Sequence, residues 1–522
     1  MTAVSRILYC ALFGSGLVIA ALALFGPIHG PIPLRTPLNG ESWFVVSGVL
    51  LLLLRRSGSL APSQPWRAGK LDVLYVAAVG LITVFVFAGM AQSYFLSDDF
   101  VLLRHARSPW NWHTLFETRG ADGFFRPLGY LSYIATEKWA GVDAAIWHWI
   151  GFALHALTAA LVYVFACELG HSRFGAWVAA TVFAVHGSHP EAVVWISGRY
   201  DLLATFAFLV AAVGFVESWE AVGFRRRVFQ AIKVIAMLAA VLTKESADAF
   251  PFIAALLLVC YRRHSHKNWS TVAVLFVAAG VPFVYRWILY GGIGGYTGPD
   301  GRAMALSINA VAAINGLGFR LWGILAFPIN WSTTVGFVLA LITFLYLGAL
   351  ASLFAGSSVS RHTVFALAFI PVAALPALSL ILIGMNLEKS RVLYLPSIGF
   401  CLLLSAMLEP LGRRSQIVIA AVVILFHSAA LWHNLNLWRE ASRVVQAACQ
   451  EVAKCDSPSR EAIVQGLPNS LNGVYAFQNG FSECIAMQHD NPVSEPAISS
   501  CRFIWDPTTA SVHRLTDSSP PR

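Results

Sequence analysis

Charge is scarce in this sequence. Asp, Glu, Lys and Arg make up 12% of 522 residues, against 57% hydrophobic residues, and the mean hydropathy is +0.65. Soluble domains carry roughly twice that share of charge, so a water-soluble globular chain is excluded and a multi-pass membrane protein is expected. The formal net charge of +9 does not signal nucleic acid. The basic residues sit in short clusters between apolar runs, where orientation signals lie, rather than in one patch. No internal repeat is visible, and no tetratricopeptide period in particular, which removes a solenoid. A cleavable signal peptide is not expected either. Ile7–Gly26 is too long for its hydrophobic region and lacks a small-residue cleavage site, so it reads as a first anchor.

Cysteine is sparse and unevenly placed. Cys10, Cys167, Cys260 and Cys401 fall inside apolar runs and read as small core residues. Cys449, Cys455, Cys484 and Cys501 all fall in the polar C-terminal stretch, an even number that suggests two disulfides in an oxidising compartment. Of the three connectivities, Cys449–Cys455 with Cys484–Cys501 is the most local.

What the sequence has in abundance is apolar runs near spanning length: 7–26, 43–54, 71–96, 146–169, 174–189, 201–221, 228–243, 247–261, 269–289, 334–354, 363–384, 393–408 and 416–433. If all thirteen cross, the basic loops (Arg55, Arg56, Arg67 and Lys70; Arg173; Arg225 to Arg227; Arg262, Arg263 and Lys267; Arg361; Arg413 and Arg414) share one side, which the positive-inside rule makes cytoplasmic. The opposite side receives the aromatic loop 97–145, the Gly-rich loop 290–302 and the four-cysteine tail. The apolar segment 306–328, with Asn309, Asn315 and Arg320 in it, is expected to lie on or dip into that outer face. The expected organisation is all-α: 1–66 a membrane hairpin and basic loop, 67–433 a transmembrane domain with outer segments 97–145 and 290–333, and 434–522 a disulfide-containing outer module. In that module 438–453 reads as a helix, followed by strands.

The same outer side collects the charges that need a purpose. Asp98 and Asp99 follow the run 71–96 directly, and adjacent carboxylates beside a membrane helix are costly unless used. Neighbouring side chains diverge, so one would be a general base and the other an orienting group. His186, His189 and Glu191 flank Pro190, where the helix should break. They read as lining of an active site, with a metal set as the alternative. Arg199, Lys244, Lys389 and Arg391 sit at outer helix ends and would bind a phosphate or pyrophosphate leaving group. Alternatively Arg199 with Asp201 and Glu388 with Arg391 form local ion pairs, Glu245 pairs with Lys244 or another cation, or the cations snorkel.

Four stretches carry a family resemblance: Ser97–Phe100, Phe183–Leu203 (FAVHGSHPEAVVWISGRYDLL), Thr243–Ser246 (TKES) and Leu387–Cys401 (LEKSRVLYLPSIGFC). With them the chain resembles the GT-C superfamily of polytopic glycosyltransferases, and most of all the TMTC-type O-mannosyltransferases and their bacterial relatives. The resemblance implies a GT-C-type bundle and a polyprenyl-phosphate-linked sugar donor. It also implies inverting transfer to a hydroxyl of a protein or glycan on the outer face, with Asp98 or Asp99 as the base. Arg199, Lys244, Lys389 and Arg391 would contact donor phosphate; His186, His189, Glu191, Asp201, Glu245, Glu388 and Tyr394 would line the sugar or acceptor pocket. No cofactor or metal is expected, because cations can neutralise the leaving group. The chain departs from the family in lacking tetratricopeptide repeats after the last helix and in the order of its histidine motif. Its architecture suggests a bacterial inner membrane, with site and C-terminus extracytoplasmic, and undecaprenyl phosphate as carrier. The rival readings are a glycan polymerase or ligase of the same superfamily, a transporter, and an inactive scaffold. A transporter would place its charges near the midplane and show paired repeats, which this sequence does not.

Overall fold

The protein, seen in a computed structural model, is described over residues 3–25, 37–54, 66–116, 124–261, 266–291, 310–454, 463–489 and 502–514. Its helices are α1 (Ala3–Phe25), α2 (Pro37–Leu53), α3 (Lys70–Phe87), α4 (Asp98–Arg107), α5 (Trp112–Phe116), α6 (Pro127–Ala140), α7 (Ala144–Glu168), α8 (Arg173–Ala184), α9 (Pro190–Val193) and α10 (Arg199–Glu217). There follow α11 (Gly223–Val241), α12 (Phe250–Tyr261), α13 (His266–Tyr290), α14 (Ala310–Asn315), α15 (Leu321–Ala326), α16 (Phe337–Gly356), α17 (Arg361–Ala374), α18 (Pro396–Leu408), α19 (Arg413–Ala453) and α20 (Phe481–His489). Every one of the thirteen apolar runs holds a helix. Among the described residues eight helices are long and apolar enough to cross a membrane, by length and composition. Thirteen crossings would require α2, α8, α11, α12 and α18 to span as well. A helix as short as α8 or α12, with 12 residues, measures about 18 Å against a hydrocarbon core of about 30 Å.

The packing is that of a membrane protein. Phe13 and Leu17 on α1, Leu81 and Phe85 on α3, and Val277 and Ile288 on α13 face outward, exposed. Meanwhile Asp72, Glu191, Arg199 and Asp201 are buried inside the bundle. Apolar groups outside and paired polar groups inside suit a hydrocarbon solvent. At one end of α3, Asp72 accepts hydrogen bonds from Arg173 at 2.9 Å and from the Tyr163 hydroxyl at 2.6 Å, which ties α3 to the α7–α8 hairpin. The opposite end of α3 leads to the aspartate pair.

One sequence expectation changes here. The run 71–96 is not one helix: α3 and a short 3₁₀ turn end at Met90, and residues 93–96 are irregular. Of the segment 306–328, residues 306–309 lie outside the described residues, and Leu321, Ile324 and Leu325 of α15 are fully buried. A β-carbon at Gly323 would sit 2.6 Å from the Ser42 hydroxyl, so α15 packs closely on α2. The joint between α14 and α15 is a π-helical turn, Gly316–Arg320.

The C-terminal residues form a small mixed module. The apolar run 416–433 and the predicted helix 438–453 are one continuous α19 of 41 residues, leaving the bundle without a break. Beyond it, β1 (Ile463–Gln465) pairs parallel with β4 (Arg502–Asp506), and β4 pairs antiparallel with β5 (Ser511–Arg514), Phe503 opposite Arg514. β2 (Ser470–Leu471) and β3 (Val474–Tyr475) form a hairpin whose turn, Asn472-Gly473, has φ of 49° and 82°, the type I′ geometry that Asn-Gly favours. One disulfide is found among the described residues, Cys449–Cys484. It settles one bond that the sequence left open among three connectivities, and not the most local one: Cys449 joins α19 to α20 across a separation of 35 residues. Cys455 and Cys501 lie outside the described residues, as do Arg55, Arg56, Arg262, Arg263 and residues 292–309 and 515–522.

Candidate active site

The aspartate pair does not end a membrane helix. It begins α4, with Ser97 at the N-cap, where the helix dipole favours negative charge. The two carboxylates diverge as neighbouring side chains must. Asp99 is buried, and both of its oxygens are engaged: Oδ2 accepts from the Leu96 N–H at 3.0 Å, and Oδ1 from the Ser197 N–H and hydroxyl, each at 2.8 Å. Asp98 is half-buried and accepts at Oδ1 from the Asn479 side-chain amide at 2.6 Å. Ser97 has φ of 47°, a left-handed conformation that costs a serine roughly 1–3 kcal/mol and persists only where surroundings hold it.

Asp99 anchors the first outer loop on the segment Trp195–Ser197, and the Trp195 indole N–H donates to the Leu96 carbonyl at 3.0 Å. The same indole carries the cationic side of the site. The Arg391 guanidinium lies over Trp195 at 4.8 Å and over Tyr475 at 5.6 Å. It also donates to the buried Glu191, whose other oxygen accepts from the Ser390 N–H at 2.8 Å. Gly198 lets this turn close, because a β-carbon there would meet the Glu191 carbonyl oxygen at 2.5 Å. Leu387 and Lys389 both have positive φ, 59° and 74°, so the LEKS segment is a strained loop. Lys389 is half-buried and makes no ion pair among the described residues.

The ion pairs run between segments and not within them. Lys244 pairs with Asp201 at 2.5 Å, and Arg126 pairs with Glu245 at 2.8 Å. Arg391 pairs with Glu191, while Glu388 accepts from the Ser470 hydroxyl at 3.3 Å. The local pairs Arg199–Asp201, Lys244–Glu245 and Glu388–Arg391 do not form. The first two have spacings that do not face each other on a helix, and positive φ at Lys389 breaks the third. Arg199 is buried, donating to the Thr136 hydroxyl at 2.8 Å and the Trp147 carbonyl at 3.3 Å, with its charge over the Trp147 ring at 4.6 Å.

Burial and charge set the titration of this cluster. Burial pushes Asp99 up to about 7, against the opposing hydrogen bonds from Leu96 and Ser197. Burial also raises Glu191, with Arg391 pulling the other way, and lowers Lys244 despite Asp201. Glu245 is held below the ordinary range because Arg126 and Arg286 outweigh its burial. A raised folded-state pKa means that Asp99 supports folding most below its unfolded value of 3.8. That support is lost as pH rises from 3.8 through about 7. The expected result is a stability gap between wild type and Asp99→Asn that moves against the wild type between pH 5 and pH 8. Thermal unfolding in detergent measures it, and a pH-independent gap would contradict the assignment.

The histidines are brought together, but in the interior. His186 bonds Ser188 at 2.9 Å and the Leu325 carbonyl at 2.9 Å, and His189 bonds the Ser397 hydroxyl at 3.0 Å. His155 meets the Tyr394 hydroxyl at 2.7 Å. The rings of His427, His186, His189 and His155 follow one another at 4.7, 5.0 and 5.3 Å. No group of three or more His, Cys, Asp or Glu side chains among the described residues could hold a metal ion. Sequence reasoning missed Arg126, Trp195, Ser197, Tyr475 and Asn479. Arg126 shares the first outer loop with Arg104, Arg107, Arg119 and Lys138, so nothing in composition singled it out.

No family model matches the chain. The curated proteins it is similar to are TMTC-type protein O-mannosyl-transferases. It is 32% identical over 153 residues to Protein O-mannosyl-transferase Tmtc1 of Drosophila melanogaster, an alignment covering 28% of this chain and 16% of that protein. It is 22% identical over 441 residues to Protein O-mannosyl-transferase TMTC3 of Homo sapiens, covering 73% and 46% respectively. The chain thus spans less than half the length of these relatives. Among solved structures it overlaps loosely with the oligosaccharyltransferase AglB of Archaeoglobus fulgidus, at 15% identity and a TM-score of 0.43, over 74% of this chain and 58% of that one. The resemblance first drawn from four short motifs is therefore matched by the curated relatives, and the chain is a multi-pass membrane protein.

Proposed function

We propose that this protein transfers a sugar from a polyprenyl-phosphate carrier to an acceptor hydroxyl of a protein or glycan at the face carrying Asp98 and Arg391, with inversion. One observation carries the reading. The first outer loop, through Asp99, and the LEKSR segment, through Arg391, are both seated on the same few residues, Trp195 to Ser197. A carboxylate and a cation group thus stand on one platform, as a reaction with an anionic leaving group requires.

In this scheme Asp98 is the base. Asp99 spends both oxygens on backbone and serine donors, whereas Oδ2 of Asp98 has no protein partner among the described residues. The Asp98 carboxylate takes the acceptor proton as the acceptor oxygen bonds to the anomeric carbon. The bond from that carbon to the phosphate oxygen breaks, and its electron pair leaves with the phosphate. Lys389 and Arg391 meet the phosphate. Lys244, Asp201 and Arg199 act from farther off, holding α10 against its neighbours. Glu388 stands beside the pocket. The buried His186, His189 and Tyr394 brace the helices beneath it, and no metal is assigned. In this reading thirteen helices cross, the short ones included, and the site and C-terminus are extracytoplasmic, in a bacterial inner membrane.

The test is a panel of polyprenyl-phosphate sugars in proteoliposomes, with mannosyl donors first because the named relatives are mannosyl-transferases. The expected outcome is release of polyprenyl phosphate from one donor and a product of inverted configuration. Retention of configuration, or no turnover of any donor by folded protein, would overturn the proposal.

A further inference from the structure

The C-terminal module touches both sides of the site described above. On the aspartate side, the Asn479 side chain donates to Asp98, and its backbone N–H donates to the Ser97 hydroxyl at 3.3 Å. Gly480, at φ 78°, lies so close that a β-carbon would meet the Ser97 carbonyl oxygen at 2.5 Å and the Phe100 side chain at 3.0 Å. One turn further, Glu483 pairs with Arg104 of α4 at 2.8 Å. On the cation side, Tyr475 stacks on Trp195 at 4.9 Å and faces Arg391, and Ser470 reaches Glu388. The hairpin turn is fastened by Asn330, which donates to the Asn472 carbonyl at 2.7 Å. The Cys449–Cys484 disulfide fixes α20 to α19, so the residues that reach Asp98 are held to the bundle by a covalent bond as well as by packing.

We infer that the C-terminal module is part of the active site and that Asn479 is a positioning residue for the Asp98 base. The inference rests on the glycosyltransferase reading. Asn479 occupies Oδ1 of Asp98 and leaves Oδ2 for an acceptor hydroxyl. It also props Ser97 in the left-handed conformation from which α4 starts. Tyr475 covers the Arg391 face toward the module.

The experiment uses the full chain in proteoliposomes with the donor that turns over, comparing wild type, Asn479→Ala, Asn479→Asp and Asp98→Asn. Asn479→Ala is expected to lower kcat about tenfold, the size of one hydrogen bond to a charged group, with KM for the donor unchanged. Asn479→Asp, isosteric but without the donor, should lower kcat as well, and it carries the same readout should the alanine variant fail to fold. A merely structural role would lower the yield of folded protein and leave kcat per folded molecule at the wild-type value. Wild-type kcat in both folded Asn479 variants, with Asp98→Asn inactive, would overturn the role of Asn479 alone. An Asp98→Asn protein as active as wild type would overturn both this role and the reading it rests on.

Discussion

Asp98→Asn is expected to reduce sugar transfer by about 10²–10⁴-fold, the usual contribution of a positioned general base, while the protein folds as the wild type does. The substitution is mild for the structure. Asparagine keeps an oxygen where Oδ1 accepts from Asn479, and position 98 is half-buried, so its new amide group can turn toward solvent. What disappears is the acceptor of the proton. The neighbouring change behaves differently. In Asp99→Asn the new amide nitrogen must face either the Leu96 N–H or the Ser197 N–H, a donor set against a donor at a buried position, at roughly 1–3 kcal/mol. Turnover and folded yield should therefore fall together for Asp99→Asn, whereas Asp98→Asn separates them. Steady-state turnover in proteoliposomes, beside the size-exclusion profile of each variant, makes the distinction. Wild-type turnover by Asp98→Asn would remove Asp98 as the base.

Arg391→Ala should have the largest effect on stability. Glu191 is 1% exposed, and Arg391 is the cation that answers its charge. Removing one partner of a buried pair leaves an uncompensated charge, which costs about 3–5 kcal/mol. The double variant Glu191→Gln/Arg391→Met exchanges both charges for groups of similar size, and it should regain most of the lost unfolding temperature. Turnover is the informative part. If Arg391 contacts the phosphate, the double variant recovers stability but not sugar transfer. Recovery of both would confine Arg391 to holding the loop in place, and the leaving group would then rest on Lys389.

Much of this was legible beforehand, for reasons that can be named. The Asp pair, the His-Pro-Glu break and the LEKSR segment stood out because charge next to an apolar run is costly, so a chain that retains it advertises a use. That argument finds residues one at a time. It cannot say which of them meet. As an alternative to phosphate binding, the sequence offered Arg199 with Asp201 and Glu388 with Arg391, because nearness along the chain was the only measure at hand. The structure joins Arg391 to Glu191, 200 positions away, and Lys244 to Asp201, 43 away. The cysteines were open in the same way: three connectivities were possible, and the structure shows Cys449–Cys484.

The sequence by itself determined that this is a membrane bundle, that each apolar run holds a helix, and which polar residues stand beside those runs. Each of those follows from how a short segment partitions between water and hydrocarbon, a property that the segment carries alone. Only the tertiary structure decided that Asp98 and Asp99 open a helix and do not close one, that Asp99 is consumed in holding Ser197, and that Asn479, 381 positions on, reaches back to Asp98. Those contacts depend on which helix ends the packing brings side by side. No segment carries that information in its own composition, because the partner that satisfies a buried charge is chosen by geometry after the segments have met.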